Sequence, residues 1–236
     1  MNKSNEKLIL FFMKYPEKGL PSSEAKGQVK TRLAKELGEI ATFELYKNFV
    51  LDLLSMLETL EIHLWICFYP VSSQEKLVEW LGEQYCYVSQ KGDNLGQNMK
   101  NSFIHAFASG YRRVIVIGSD SPDLPGEFIN EAFRSLKTND IVIGPALDGG
   151  YYLIGFRYDT FLPEVFEGIN WSTDTVFGET MNILAEAGCK IHILPEWSDV
   201  DILVDLKSLV MRNQNTAFRY SKTISYIHKE ILQNGK

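Results

Sequence analysis

A chain of 236 residues, 45% hydrophobic and 23% charged, has the composition of an ordinary globular protein and is long enough to bury a sizeable core. Its formal net charge of −6 argues against a broad nucleic-acid footprint, while leaving room for a local basic patch that grips a small phosphorylated ligand. Cys67, Cys86 and Cys189 are far apart and form no CxxC or Cys/His cluster, which excludes a disulfide framework and a structural zinc site as readings of the sequence.

The first apolar run, Leu8 to Met13, reads as a buried strand. It is too short for a secretion signal, and no apolar run is long enough to span a bilayer, so the expected location is the cytoplasm and Asn170-Trp171-Ser172 is a chance sequon. After Lys14, Tyr15 and Pro16 comes a loop over Glu17 to Gln28, of a length that in a compact domain is functional or disordered. A helix is expected to start near Lys30-Thr31-Arg32 and to be interrupted at Gly38. Helical spacing then resumes through Phe43, Tyr46, Val50, Leu53, Leu54 and Leu57.

Ile62 to Tyr69 reads as the second strand, closed by Pro70. Gln74 to Leu81 reads as a short helix, Tyr85 to Val88 as a weak strand, Gln90 to Gly96 as a loop, and Gln97 to Phe107 as a helix. Val114 to Ile117 is a β-branched run suited to a strand buried on both faces. A helix is expected around Glu127 to Leu136, followed by a buried strand at Ile141 to Ile143. Tyr151 to Phe156 is a further strand, antiparallel because its connection is too short for a helical crossover. The last elements are a helix over about Asp174 to Ala187 with Gly188 just past its end, a strand at Lys190 to Leu194, and helical segments to the C-terminus. In those segments Phe218, Tyr220, Ile224, Ile227 and Ile231 are expected to pack back on the body. Strands alternating with helices predict one α/β domain over residues 1–236, a mostly parallel, Rossmann-like sheet with helices on both faces.

Polar residues that spill from the carboxyl ends of such strands are candidates for a site, because open α/β sheets bind ligands there. Ser119, Asp120 and Asp123 follow the Val114 to Ile117 strand. Two carboxylates so close are costly unless a cation or solvent lies between them. They read either as a divalent-metal site holding a phosphate or as an Asx/Pro turn that caps the next helix. Lys30 and Arg32 read either as phosphate ligands at a helix start or as a solvated helix face. Asp148-Gly149-Gly150 reads either as a close approach to a ligand, with Asp148 as a base, or as a tight strand connection. Asp199 or Asp201 could supply a second carboxylate beside Asp120, since Mg²⁺ needs only one or two in addition to substrate phosphates, and Asp205 could be a helix cap. His63 and His192 lie in strand-like runs and read as structural. There is no P-loop, no G-x-G-x-x-G after a strand and no nucleophile elbow.

The segments Gly27 to Leu33, Gln90 to Met99, Gly118 to Pro125, Gly144 to Gly155, Asn170 to Thr175 and Asp199 to Leu206 together resemble a bacterial family with the GT-A fold, described as glycosyltransferases or nucleotide-diphospho-sugar transferases. More distantly they resemble molybdenum-cofactor guanylyltransferase and other nucleotidyltransferases. The resemblance implies a metal-dependent transferase acting on a nucleotide or nucleotide-sugar and a small acceptor. Its metal would be Mg²⁺ or Mn²⁺ on Asp120 and Asp201. It implies nucleotide or phosphate contacts from Lys14, Lys30, Arg32, Gln90, Gly92, Leu95, Gly96, Ser119, Asp120 and Gly149, with Asp148 as the catalytic carboxylate. Asp123 falls to the turn and helix start. Two departures stand out: Asn98, where the family is expected to carry Arg, and Ile202-Leu203-Val204, where related transferases more often read Thr-Pro-Glu. Release of pyrophosphate from an NTP, or nucleotide binding without catalysis, are the alternative functions.

Overall fold

The computed structural model describes residues 6–16 and 29–232, so the expected loop over Glu17 to Gln28 lies outside the described residues. The chain runs β1 (Lys7–Lys14), α1 (Thr31–Leu37), α2 (Glu39–Glu58), β2 (His63–Tyr69), α3 (Gln74–Leu81), β3 (Cys86–Ser89), α4 (Leu95–Ala108), β4 (Arg113–Ile117) and α5 (Gly126–Ser135). It continues through β5 (Ile141–Pro145), β6 (Tyr151–Arg157), α6 (Val176–Glu186), β7 (Ile191–Ile193), α7 (Leu203–Arg212) and α8 (Lys222–Tyr226).

The seven strands form one sheet in the order β3-β2-β1-β4-β6-β5-β7. All neighbours are parallel except β6, which runs antiparallel to β4 and β5, as its short connection requires. The continuous apolar runs are explained by burial on both faces. In β1, Ile9, Phe11 and Met13 face a core completed by α2, α3 and α5, whereas Leu8, Leu10 and Phe12 face one completed by α4 and α6. Every residue of β4 is buried. Each such Leu, Ile or Phe contributes about 1.5–3 kcal/mol relative to an exposed side chain, which fixes the register of the central strands.

Gly38 breaks the first helical run as expected, at φ +85 between α1 and α2. Gly188 (φ +67) ends α6: its N–H donates to Ala185 O at 3.0 Å and that of Cys189 to Leu184 O at 3.1 Å, the double closure of a Schellman motif. α4 begins two residues before the expected Gln97, because the Asn94 side chain accepts from Gln97 N at 2.9 Å and caps the helix there. Leu95 and Gly96 are therefore helical rather than loop residues. Asp174 and Thr175 precede α6 instead of starting it.

Ile224, Ile227 and Ile231 are buried against Leu33, Leu37, Leu45 and Phe49, so the C-terminal segments cover α1 and α2. Tyr220 does not join them. It is 76% exposed on a single 3₁₀ turn (Ala217–Tyr220), its ring stacked under Arg219. One turn of helix cannot present every residue to one face. His63 Nδ1 meets Tyr111 Oη at 3.0 Å and His192 Nε2 meets Glu131 at 2.7 Å, structural pairings in both cases.

Candidate functional site

From β1 the chain leaves toward β2 on one side of the sheet, and β4 lies on the other. Such a reversal opens a crevice at the carboxyl ends of the two strands. A cavity of about 790 Å³ occupies it. Lys14 ends β1, Ser119 and Asp120 follow β4, Asp148 lies in the β5–β6 connection, and Asp199 and Asp201 follow β7; all line this cavity. The hydrogen bond from Val200 N to Asp120 O, 3.0 Å, stitches the β4 end to the segment carrying Asp199 and Asp201.

Lys30 is the hub. Its side chain is only 3% exposed, and its Nζ lies 2.5 Å from Asp120 Oδ1 and 2.6 Å from Asp201 Oδ1. Burial alone would lower its pKa, but the two carboxylates outweigh that and hold it above the ordinary lysine value. The backbone of Lys30 is left-handed, at φ 52 and ψ 47, a conformation that costs an L-residue roughly 1–2 kcal/mol and that persists where the surroundings over-determine it. The double ion pair provides that constraint. α1 starts immediately after it, with Arg32 on the exposed rim of the cavity.

Asp199 accepts from Ser121 Oγ at 2.8 Å. Burial and the neighbouring Asp120 push its carboxyl up to about 7, with Asp148 adding to the push and Lys30 opposing it. Asp199 is partly buried, as Asp120 and Asp201 are; its desolvated, crowded carboxyl, which has no signature in the sequence, is what sets it apart. Tyr46, treated only as an apolar position of a helix, also lines the cavity. Its buried hydroxyl sits 2.9 Å from Ser119 Oγ and 3.2 Å from the Lys14 main chain, so it ties the ends of β1 and β4 together. Burial and Asp120 hold its phenol above the usual tyrosine range.

Gln90 and Leu95 also line the cavity. The Gln90 side chain donates to Cys67 O at 2.8 Å and receives Asn98 Nδ2 at 3.3 Å, which gives Asn98 a positioning role at the spot where Arg was expected. Packing within the protein by itself requires glycine at the three expected positions. A side chain on Gly92 would collide with Gln97 and Asn98, and one on Gly96 with the Trp171 ring. Gly149 has φ +88, and a methyl group there would overlap the Asp174 carbonyl, so it seats Asp174 against the β5–β6 turn. Asp148, exposed at the mouth, accepts from Gly150 N at 2.9 Å.

Asp123 is set apart from this group, though not as part of a helix start. Its side chain is 1% exposed and accepts from Arg212 Nε at 2.7 Å, Arg212 Nη2 at 2.7 Å, Asn213 Nδ2 at 2.6 Å and Trp197 Nε1 at 3.3 Å. α5 itself begins without a side-chain cap. Asp205 is a helix-start residue: its carboxylate accepts from the N–H groups of Asp201 and Ile202 at 2.9 and 3.0 Å.

Among the described residues no set of three or more His, Cys, Asp and Glu side chains is grouped to hold a metal. Asp120 and Asp201 nevertheless converge on one cation, and their side chains are 48% and 42% exposed, so each can offer an oxygen toward the cavity. That pair, completed by phosphate oxygens, fits the sparse donor set Mg²⁺ accepts.

A Desulfovibrio desulfuricans G20 protein, to which a nucleotide-diphospho-sugar transferase function is assigned provisionally, is 42% identical over 95% of this chain and 94% of its own, with a TM-score of 0.89. Two further solved structures share the fold at low identity. One is the 4-diphosphocytidyl-2C-methyl-D-erythritol synthase of Anaerococcus prevotii DSM 20548, at 11% identity over 89% of this chain and 97% of its own, TM-score 0.56. The other is the inositol-1-phosphate CTP transferase of T. maritima, at 14% identity over 96% and 98%, TM-score 0.53. No curated protein matches the chain. The family model described as "Uncharacterized protein conserved in bacteria (DUF2064)" matches residues 53–173. The chain has the nucleotide-diphospho-sugar transferase fold and belongs to this bacterial DUF2064 family.

Proposed function

We propose that the protein transfers a glycosyl group from a nucleotide-diphospho-sugar to a small hydroxyl-bearing acceptor, with Mg²⁺ or Mn²⁺. The reading is carried by the convergence of Lys14, Lys30, Ser119, Asp120 and Asp201 on one cavity at the switch point of the sheet. The 42% identical Desulfovibrio relative supports it. The cavity walls carry five carboxylates (Asp120, Asp148, Asp174, Asp199, Asp201) against three cations (Lys14, Lys30, Arg32) among the described residues. A diphosphate would be repelled by that balance unless a cation came with it.

Asp120 and Asp201 would hold the metal, which when bound supplies Lewis-acid neutralisation of the leaving diphosphate. Lys14 and Arg32 draw the diphosphate in, and the Ser119 hydroxyl, oriented by Tyr46, is placed to hydrogen-bond it. The acceptor oxygen bonds to the anomeric carbon as the bond to the diphosphate breaks, and the electron pair leaves with the diphosphate. Asp148, open to solvent at the mouth, takes the acceptor proton in this reading. The test is turnover of a panel of nucleotide-diphospho-sugars with and without Mn²⁺. Release of a nucleoside diphosphate that Asp120→Asn abolishes supports the reading; full activity of that folded variant overturns the role of Asp120.

The three cations that line the cavity also suit a triphosphate, which favours nucleotidyl transfer as the second reading. Pyrophosphate release from an NTP plus acceptor decides for it.

A further inference from the structure

We infer that Lys30 guards the metal carboxylates in the free protein, so that the divalent ion binds together with the donor diphosphate and not ahead of it. The inference rests on the reading of Asp120 and Asp201 as metal ligands. One buried ammonium already satisfies an oxygen of each, at 2.5 and 2.6 Å. A divalent ion arriving alone would meet two carboxylates whose charge is partly neutralised, with a fixed positive charge between them. It must either dislodge the ammonium or sit against it.

Among the described residues the ion pairs of the ammonium are those with Asp120 and Asp201. Of the other acidic walls, Asp148 is exposed in the β5–β6 turn, Asp174 lies just ahead of α6, and Asp199 accepts from Ser121. A diphosphate changes this, because its oxygens offer the three donors of the ammonium a new partner in the cavity that Lys14 and Arg32 also line. With Nζ turned to a phosphate oxygen, Asp120 and Asp201 would each regain a free oxygen with which to hold the metal, whose charge would favour the diphosphate. The Lys30 side chain is only 3% exposed, so the ammonium sits inside the cavity wall rather than in solvent. Lys30 is thus a positioning residue for the metal as well as a phosphate ligand.

The test is Mn²⁺ titration of the full chain, reading free Mn²⁺ by its electron paramagnetic resonance signal. It is run with Mn²⁺ alone and then with UDP, GDP, CDP or ADP in turn. Wild type should bind Mn²⁺ weakly alone, and one diphosphate should tighten it within the roughly 5–150-fold range usual for coupled sites. Lys30→Met should bind Mn²⁺ alone at least tenfold more tightly than wild type, with the coupling to diphosphate reduced. Lys30→Gln, which keeps a donor on the carboxylates without the charge, should do the same if the methionine variant fails to fold. Equal Mn²⁺ affinity in wild type and variant, with diphosphate coupling intact, overturns the guarding role and leaves the metal site standing. No Mn²⁺ binding to either protein, with or without any diphosphate, overturns the metal reading itself.

Discussion

Lys30 is neutralised twice, so removing either of its carboxylates leaves it one partner. Asp120→Asn is therefore expected to abolish turnover while circular dichroism and the unfolding midpoint change little. Asp199 behaves differently. Its carboxyl is pushed up to about 7 by burial and by Asp120, so the folded protein binds its proton more tightly than the unfolded chain does. Stability from this group is present below about pH 4 and is lost as pH rises toward about 7. With a chelator present, Asp199→Asn should remove that slope. It should raise stability at pH 8 by on the order of a few kcal/mol, a gain of several degrees in Tm. A pH-independent difference between the two proteins would show that the crowding of Asp199 is relieved some other way. These acids were visible in the sequence as residue types in order. Which of them is buried, and which meets the lysine, was not, because Lys30 and Asp201 are 171 positions apart.

At the scale of elements, the connections hold the site while the strands supply the frame. The β5–β6 turn depends on Gly149, where φ is +88 and the Asp174 carbonyl leaves no room for a methyl group. Gly149→Ala should destabilise by more than the roughly 1 kcal/mol of an ordinary left-handed position. It should also displace Asp148 and lower kcat; an unchanged unfolding midpoint would refute the packing role. The start of α4 depends on Asn94, and Asn94→Ala should cost about 1 kcal/mol, or roughly 2–4 °C in Tm. Leu95-Gly96 looks like loop sequence unless the Asn94 cap is recognised, which is why the apolar spacing alone starts the helix two residues late. The double closure at Gly188 was legible, since glycine after an apolar helical stretch has few other uses.

Across the molecule, one buried carboxylate fastens the C-terminal layer to the sheet. Asp123 accepts three hydrogen bonds from Arg212 and Asn213 at the end of α7. Asp123→Ala should cost about 3–5 kcal/mol, since it strands a partly buried guanidinium. Denaturant unfolding should show the loss; a cost below about 1 kcal/mol would mean that the apolar packing of Ile224, Ile227 and Ile231 suffices. A second cavity, about 650 Å³ at the amino ends of β1 and β4, is lined by Arg112, Arg113, Arg157 and Lys137. Arg113 is paired with Glu6, and Arg157 with Asp140 and Asp159, so its charges are largely spent within the fold.

The sequence by itself determined the alternation of strands and helices, the antiparallel β6 and the order of the motif segments. These follow from apolar runs, glycine positions and connection lengths, all properties of neighbours along the chain. Only the tertiary structure decided that Lys30 lies between Asp120 and Asp201, that Asp199 is the crowded carboxylate, and that Asp123 belongs to Arg212. Each of those depends on burial and on distances between residues far apart in the chain. The strand order sets them by bringing the ends of β1, β4 and β7 to one edge of the sheet.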